Sequence, residues 1–432
     1  MPGIFRIKDG VDLTAEKLSE YIALNNAEVT KRYKVLQDAY NTDFEIFRGE
    51  KKAAWKPDNR IGVNFPKYIV DTMNGFFIGI PIKVSAEDEA VSNYLELLDQ
   101  YNDQDDNNAE LAKICQIYGR GYEMLYVDDN GQIGITYLDP MESFMIYDES
   151  ILERPRYFVR TYKDTDNVIR GSVSDDKVIR YFDCEHGLRF SQDEKPHGFE
   201  GVPAVEYVAN EERKGLFEPV MSMVNAYNKA ISEKANDVDY FADAYLKILG
   251  AAVDNDDIKH MRSNRIINFD EKDAQELDVE FLQKPSADAT QENLIARLEK
   301  LIFQISMVAN INDENFGSAT GIALKYKLQS MSNLAKTLER KFTSGMNRRY
   351  RLIFSNLIAP VSSDAWTQIH YKFTRNYPAN ELEEAQIAAS LAGIVSKETQ
   401  LSALSIVPDV QAEMARIEEE NPADSFGFGE IG

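Results

Sequence analysis

The chain has 432 residues, of which 44% are hydrophobic, and this length and apolar content predict more than one domain with ordinary cores rather than a disordered chain. It is strongly acidic, with 72 Asp and Glu against 48 Lys and Arg and a formal net charge of −24. That sign excludes a protein that coats DNA broadly, because phosphate binding is driven by Lys and Arg that displace counterions.

Cysteine usage and hydropathy indicate the compartment. Two cysteines, Cys115 and Cys184, are too few for a disulfide framework, and the first residues lack the apolar core of a signal peptide. We therefore expect a reducing compartment. The longest apolar run, residues 76–82, is far shorter than the roughly 20 residues that cross a bilayer, so no membrane span is expected.

The first hundred residues predict helices. Residues 12–47 have a helical pattern, and a further helix begins where Asn64 can cap the chain and Pro66 falls in the first turn. We expect that helix to end at Gly75, Gly79 and Pro81. Residues 87–110 hold nine acids and no base, which is typical of a solvated helix face or linker rather than of a Ca²⁺ loop.

The middle of the chain changes to alternating periodicity. Residues 122–127 and 133–137 predict a hairpin, because the Asn-Gly in the turn between them supplies left-handed residues. Residues 156–162 and 177–183 predict a second strand pair around another polar turn. Together with the helices before and after, this section predicts an α+β fold.

A small polar cluster, residues 183–186, is followed by His197. Zinc sites normally show paired Cys or His at short fixed spacings, and one Cys and one His make half a site. The cluster is therefore interpreted as a strand end, and neither a metal nor another cofactor is expected.

Residues 216–249 are predicted to be helical, with an apolar side opposite an acidic side. The acidic side holds Glu233, Asp237, Asp239 and Asp243. Asp239 and Asp243 are one turn apart, as paired metal-binding carboxylates can be, but any acidic helix face gives the same spacing. The polar insert that follows, residues 254–284, contains two strand-like runs, 265–269 and 279–282.

Two helical patterns lie within residues 288–357, separated by a polar loop that carries Phe316. The buried seam of the first is predicted to contain Leu294, Leu298, Leu301, Ile305 and Val308. The seam of the second is predicted to contain Leu324, Leu328, Met331, Ala335, Leu338, Phe342, Met346, Tyr350, Ile353 and Leu357. Gly345 is a predicted bend in this second, unusually long helix.

The second helix has a local excess of bases over a single acid, Glu339. The basic residues are Lys325, Lys327, Lys336, Arg340, Lys341, Arg348, Arg349 and Arg351. Two interpretations stay open, namely contact with an acidic partner and an ordinary solvated helix face. The tail, residues 379–432, reverses the sign with eleven acids against two bases, begins as helix and ends in a flexible-looking segment.

Common catalytic motifs are missing from the sequence. It contains neither a Gly-x-x-x-x-Gly-Lys-Ser/Thr phosphate loop nor His-Glu-x-x-His nor Gly-x-Ser-x-Gly. A protein that is not an enzyme is therefore expected.

Four stretches in a specific order resemble the portal proteins of tailed double-stranded-DNA bacteriophages, of the type found in siphophages of Gram-positive hosts. They are NFPKYIVD at 64–71 with GIP at 79–81, GFEGVP at 198–203, VNAYN at 224–228, and FGSATGIALK at 316–325 with ERKF at 339–342. The chain departs from the family pattern at Asn225, where an Asp is expected.

The resemblance implies a portal fold within the α+β class, divided into seven parts. These are an α/β wing at 1–215, a stem helix at 216–249, an α/β clip at 250–287, a second stem helix at 288–309, a tunnel loop at 310–320, a long bent wing helix and return at 321–378, and a helical crown with the acidic tail at 379–432. It further implies a ring of usually twelve subunits at one capsid vertex of the virion, through which double-stranded DNA is packaged and ejected.

The resemblance also implies roles for particular residues. The tunnel loop would meet DNA through Asn312, Asp313, Glu314, Asn315 and Phe316, and the channel wall would carry the four acids of residues 233–243. The clip would dock the terminase large subunit and then the head-tail adaptor through Lys259, Arg262, Arg265, Asp270 and Glu271. Capsid and scaffolding proteins would be further partners, and assembly would take place in the host cytoplasm.

Two other classes stay open at this point. One is an acidic metal-dependent phosphodiesterase or nuclease that uses Asp237, Asp239 and Asp243. The other is a structural or adaptor protein of the virion that does not form a ring.

Overall fold

The computed structural model describes residues 4–53, 56–242, 246–249, 278–281, 288–311, 326–376, 381–404, 406–407 and 410–420. Helices and several separate sheets occur within these residues, so the α+β prediction is confirmed. None of the helices in the described ranges is long and apolar enough to cross a membrane.

The elements are numbered in chain order. The helices are α1 (Ala15–Glu28), α2 (Lys34–Tyr40), α3 (Glu45–Arg48), α4 (Phe65–Ile78), α5 (Glu89–Asn102), α6 (Gln104–Tyr118), α7 (Met221–Ala242), α8 (Asp288–Ser306), α9 (Gln329–Ser355), α10 (Glu381–Leu391), α11 (Lys397–Leu401) and α12 (Val410–Glu420). A π-helical turn, Val29–Tyr33, joins α1 to α2, and 3₁₀ turns occur at Glu218–Val220 and Ala365–Gln368.

The strands follow the same numbering. They are β1 (Phe5–Ile7), β2 (Lys83–Ser85), β3 (Arg120–Val127), β4 (Ile133–Leu138), β5 (Ser143–Asp148), β6 (Pro155–Lys163), β7 (Ile169–Ser174), β8 (Val178–Asp183), β9 (Arg189–Pro196), β10 (Ala204–Val208), β11 (Leu246–Leu249), β12 (Asp278–Phe281) and β13 (His370–Lys372).

Helix α4 begins as the sequence predicts. The Asn64 side chain accepts a hydrogen bond from the backbone N–H of Lys67 at 2.8 Å, and Pro66 lies in the first turn. Gly79 follows the last helical residue, as expected. The prediction was wrong for Gly75, which lies inside the helix, because a single glycine weakens a helix without ending it.

Strands β1-β5-β6-β7-β8-β9 form one sheet in that order, and β10-β3-β4 form another. The first predicted hairpin is confirmed as β3 and β4, with Val127 opposite Ile133. The second predicted pair was wrong, because β7 lies between β6 and β8 and pairs with both. The spacer between the two predicted strands was long enough to contribute a strand of its own.

Among the described residues, three groups of buried side chains form the core. The largest joins α4, α6, α9 and the three-stranded sheet, and includes Met73, Leu111 and Met346. A second lies between α1 and the six-stranded sheet, where Leu18 meets strand residues such as Ile146. The third joins the two sheets through side chains on β3, β5, β6 and β10. The long helix α9 and the sheet beside it are therefore the centre of the molecule.

The seam of α9 is confirmed from Leu328 to Ile353, since every predicted residue in that interval is buried. Leu357 was wrong because the helix ends at Ser355, which leaves Leu357 99% exposed. Leu324 lies outside the described residues. Gly345 is buried, and a methyl group on it would overlap the Tyr207 ring, so the structure gives this glycine a packing role between α9 and β10.

The predicted seam of α8 was wrong at two of its five members, whereas Leu298 and Leu301 are half-buried. Ile295 and Ile302 are buried, whereas Leu294 and Ile305 are 52% and 47% exposed. Val308 is buried as predicted, just beyond the helix. Helix α8 is apolar on more than one side, so spacing within it cannot decide which side meets the rest of the protein.

The helix predicted over 216–249 is shorter in the structure. Helix α7 ends at Ala242, and residues 246–249 form β11, which pairs antiparallel with β12. Strand β12 overlaps the predicted run at 279–282, and the run at 265–269 lies outside the described residues. Within the acidic tail, the predicted helical start is confirmed by α10.

Candidate functional site

Helices α7 and α8 pack against each other and are joined by polar contacts. Gln291 on α8 donates to the Asp237 carboxylate on α7 at 2.9 Å, and Lys234 forms an ion pair with Glu292. The pairing of β11 with β12 brings the chain back beside the point where it left α7. Strand β12 precedes α8 and Ile311 follows it, and the helix between them is about 28 Å long at 1.5 Å per residue.

The predicted acidic side chains of α7 contact different neighbours. Glu233 pairs with Lys52 at 2.8 Å, and this hydrogen bond lowers the pKa of Glu233. Asp237 accepts from α8, whereas Asp239 accepts from the side-chain amide of Asn59. Asp243 lies outside the described residues. Within the described part of the chain, no group of three His, Cys, Asp or Glu side chains could hold a metal ion.

A set of hydrogen bonds that sequence analysis missed holds an extended segment, residues 59–63, along α7. Three side chains of α7, spaced four residues apart, each accept one hydrogen bond from a backbone N–H of the segment. The three donors are every second residue of the segment. The bonds join Val63 to Asn228 (2.8 Å), Ile61 to Ser232 (2.9 Å) and Asn59 to Asn236 (2.6 Å). Four helical residues rise about 6 Å and two extended residues about 6.6 Å, so the two spacings match.

The polar residues of this set are buried, although helix patterns usually place polar residues outside. Asn228, Ser232 and Asn236 are 1%, 2% and 6% exposed. Their spacing of four was the only available signal in the sequence, and it does not distinguish a solvated stripe from a buried one. A cleft of about 330 Å³ opens beside them, between α7 and the segment that contains Lys52 and Arg60.

The base of the predicted tunnel loop follows α8. Helix α8 ends at Ser306, Met307 takes a left-handed conformation with φ of 61°, and Val308 is buried. The hydroxyl of Tyr68, on α4, accepts the backbone N–H of Ile311 at 2.8 Å. The five loop residues predicted to meet DNA, Asn312 to Phe316, lie outside the described residues, as do the five predicted clip residues.

The basic residues of α9 do not share one environment. Lys336 and Arg340 are exposed, whereas Lys341 forms an ion pair with Glu211 on the loop after β10. Lys327, just before the helix, is exposed and Lys325 is outside the described residues. The acid among them, Glu339, pairs with Arg375.

Arg349 belongs to the same basic run but is fully buried. It makes two bonds to the Glu123 carboxylate on β3, at 2.6 and 2.8 Å, and donates to Asn108 on α6 at 2.8 Å. Burial by itself lowers the pKa of Arg349, but the charge and hydrogen bond of Glu123 together with the neighbouring Tyr207 and Tyr350 outweigh burial, and the pKa is raised. This cation therefore fixes the fold and is unavailable to a partner.

A second buried ionic group lies on β10. Glu206 pairs with Arg120 at 3.3 Å and with Arg213 at 3.0 Å, and accepts from the hydroxyl of Tyr147. Burial raises the pKa of Glu206, but the two arginines and the Tyr147 hydroxyl together outweigh burial, and the pKa is lowered overall. Both networks connect elements that are distant along the chain, which is why the sequence did not indicate them.

Comparison with known proteins identifies the family. The family described as "Phage portal protein, SPP1 Gp6-like" matches residues 19–425. A portal protein of Clostridium phage phiCD119 is 22% identical over 93% of this chain and 96% of its own length. A portal protein of Bacillus phage SPP1 is 24% identical over 84% of this chain and 76% of its own length.

The family match covers most of the chain, including both ionic networks and the paired helices α7 and α8. The chain therefore belongs to the SPP1 Gp6-like family of phage portal proteins, which are structural, non-enzymatic components of the capsid vertex that assemble into a ring and pass DNA during packaging.

Proposed function

We propose that twelve copies of this chain form the ring, with α7 and α8 as stem helices in the channel wall. Residues 250–287 would be the clip outside the capsid, and residues 310–320 the tunnel loop that reaches toward the DNA. The observation that best supports this division is the pairing of β11 with β12 between α7 and α8, because it makes residues 250–277 one excursion before α8, whereas residues 310–320 follow the other end of that helix. One end then serves a docked protein and the other serves DNA.

The acidic composition favours a channel along which DNA slides rather than one that binds DNA tightly. Twelve copies would carry 12 × −24, or −288, formal charges. Many Lys–phosphate contacts would hold DNA tightly and in a strongly salt-dependent way, whereas a net negative wall repels phosphate. Glu233 and Asp239 are the exposed acids on α7 that would contribute to such a wall, each fixed by a neighbour at residues 52–59. Weak, sequence-independent contacts would come from Asn312 to Phe316 in the loop.

The remaining parts of the chain would place the ring in the capsid. Residues 1–215 would form the wing, residues 321–378 the long wing helix and its return, and residues 379–432 the crown that faces the interior. Capsid and scaffolding proteins would contact the wing during assembly in the host cytoplasm. Lys336 and Arg340 are the exposed bases of α9 that could pair with an acidic surface of a neighbouring subunit.

The clip would dock the terminase large subunit during packaging and the head-tail adaptor afterwards. Its charged residues, Lys259, Arg262, Arg265, Asp270 and Glu271, would supply the docking contacts. ATP hydrolysis would be the work of the docked motor, in agreement with the missing phosphate-loop motif.

Native mass spectrometry and negative-stain imaging of the same purified sample test the ring. We expect closed particles of about twelve copies with a central hole, as a heterologous interface that closes on itself requires. A dimer with metal-dependent phosphodiesterase activity would contradict the proposal and support the nuclease alternative. If particles that are competent for capsid assembly showed a symmetry other than a closed ring, the alternative of an adaptor protein that does not form a ring would be supported.

The docking role of the clip is tested separately. The double substitution Lys259→Glu with Arg262→Glu is expected to weaken binding of the terminase large subunit while rings still form. The matched control is Lys31→Glu with Lys34→Glu, which makes the same charge change at exposed positions near the amino terminus. Equal loss of motor binding in both double variants would contradict a clip-specific role.

A further inference from the structure

The hydroxyl of Tyr68 forms two contacts with the chain that leads into the 310–320 loop. It accepts the backbone N–H of Ile311 at 2.8 Å and donates to the carbonyl oxygen of Ala309 at 3.4 Å. Tyr68 lies in the first turn of α4, whose next turns are buried in the main core. One side chain on a fixed helix therefore holds two backbone groups at the base of the loop, Ala309 just before it and Ile311 at its start.

The Tyr68 ring is itself held in place by aromatic packing. It meets the Phe303 ring of α8 edge to face, with centroids 5.5 Å apart. Phe303 packs in the same way on Phe65, at 5.7 Å, and Phe65 on Tyr227 of α7, at 4.9 Å. Edge-to-face pairs are favoured arrangements of aromatic rings, so this row joins α4 to both paired helices and orients the hydroxyl.

The short link between α8 and Ile311 has a defined conformation. Met307 adopts φ of 61°, a left-handed geometry that non-glycine residues take up at an energetic cost. The turn places the Val308 side chain in the core, where it is 2% exposed. A strained backbone conformation is kept when the surrounding contacts hold it in place. Here the two contacts that follow Met307 in the chain are the buried side chain of Val308 and the hydrogen-bonded N–H of Ile311.

We infer that Tyr68 is a positioning residue for the loop, because its hydroxyl fixes the point from which the chain projects toward DNA. The inference rests on the proposed function in assigning DNA contact to residues 310–320. Without the hydroxyl, the backbone N–H of Ile311 would lose its acceptor, and this attachment of the loop to α4 would be lost. The loop would then start from a variable position and meet DNA less uniformly around the ring.

Tyr68→Phe in the full-length chain tests the contact, because it removes the hydroxyl and keeps the ring. The matched control is Tyr40→Phe, which removes a hydroxyl that donates to Asp71 of the same helix at 2.6 Å. Hydrogen–deuterium exchange with fragmentation reports on the Ile311 amide. We expect the exchange rate of the Ile311 amide to rise about threefold to tenfold in Tyr68→Phe, because one hydrogen bond is lost. The rate should stay unchanged in the control. Unchanged exchange in Tyr68→Phe, or an equal rise in both variants, would overturn the inference.

The functional consequence is measured as DNA packaged per capsid in particles assembled with each variant. Tyr68→Phe is expected to lower packaging while its rings and melting temperature match those of Tyr40→Phe. Faster exchange at Ile311 with unchanged packaging would overturn the positioning role and leave the proposed function intact. Failure of the unsubstituted chain to form rings would instead contradict the proposed function, so the two failures are distinguishable.

Discussion

The guanidinium of Arg349 lies 2.6 Å from the carboxylate of Glu123, in an ion pair whose side chains are 0% and 2% exposed. The residues belong to α9 and β3 and are 226 positions apart in the chain. Tyr207 on β10 donates to the same carboxylate at 3.1 Å. The pair therefore fixes the long helix on the three-stranded sheet, and both partners are needed because an isolated buried charge is costly.

Arg349→Met should lower the free energy of unfolding by about 3–5 kcal/mol, since Glu123 would remain buried without its partner. Adding Glu123→Leu should recover most of this loss, because an apolar pair needs no compensating charge. Urea denaturation of the unassembled chain measures both effects. Arg351→Met, at an exposed position of the same helix, is the control and should change stability by less than about 0.5 kcal/mol. A loss no larger than that of the control would contradict the structural role of Arg349.

Two glycines inside helices should respond to alanine in opposite directions. Gly345→Ala should destabilise by about 1–3 kcal/mol, because the added methyl group overlaps the Tyr207 ring. Gly75→Ala should stabilise by up to about 1 kcal/mol, because no described atom beyond the adjoining helix backbone and the two chain neighbours lies within 4 Å of the new methyl group, and alanine favours helix. Thermal unfolding of the two variants gives the comparison. Stabilisation by Gly345→Ala would show that α9 does not approach β10 as closely as described.

Removing the buried hydroxyl of Ser232 on α7 should lower stability more than removing the exposed hydroxyl of Ser222. Ser232→Ala leaves the backbone N–H of Ile61 without its acceptor and should cost about 1–3 kcal/mol, with faster amide exchange at Ile61. Ser222→Ala makes the same change at an exposed position of the same helix and should be close to neutral. If the two variants had the same melting temperature, the hydrogen bonds between α7 and residues 59–63 would not contribute to stability.

His197 should make stability depend on pH on the acid side of neutrality. Burial lowers the pKa of His197 below its ordinary 6.5, despite the opposing effect of the Asp175 carbonyl oxygen. The unfolded chain therefore takes up a proton at a higher pH than the folded chain, so stability falls as the pH drops from 6.5 toward the lowered pKa. Melting temperatures between pH 7.5 and 5.5 should fall less steeply in His197→Gln than in the unsubstituted chain. His186→Gln, at an exposed position, is the control.

Several elements were determined by residues close together in the chain. Asn64 and Pro66 predict the start of α4, because capping involves neighbouring residues only. The Asn-Gly turn predicts the β3–β4 hairpin in the same way. The seam of α9 was predictable because its apolar residues repeat with helical spacing on one side alone. The four quoted stretches likewise indicated the family that the comparisons identify.

Other features depend on which distant segment lies alongside, and local patterns carry no information about that. The sequence identified acids on α7, but only the fold decided that Asp237 meets Gln291 and Asp239 meets Asn59. The same applies to β11, whose partner β12 lies beyond a long insert. Helix α8 has two apolar sides, and either could be buried as far as the sequence shows. In the folded protein, where α8 packs against α7, the side that contains Ile302 is buried.

The contrast is sharpest within the basic run of α9. Local charge patterning made Arg349 and Arg340 equivalent, yet Arg349 is in the core and Arg340 is in solvent. A buried cation is tolerated only where a carboxylate faces it, and Glu123 comes from a strand more than two hundred residues earlier. Helix periodicity is a property of the sequence, whereas the partner of a buried charge is supplied by the tertiary structure.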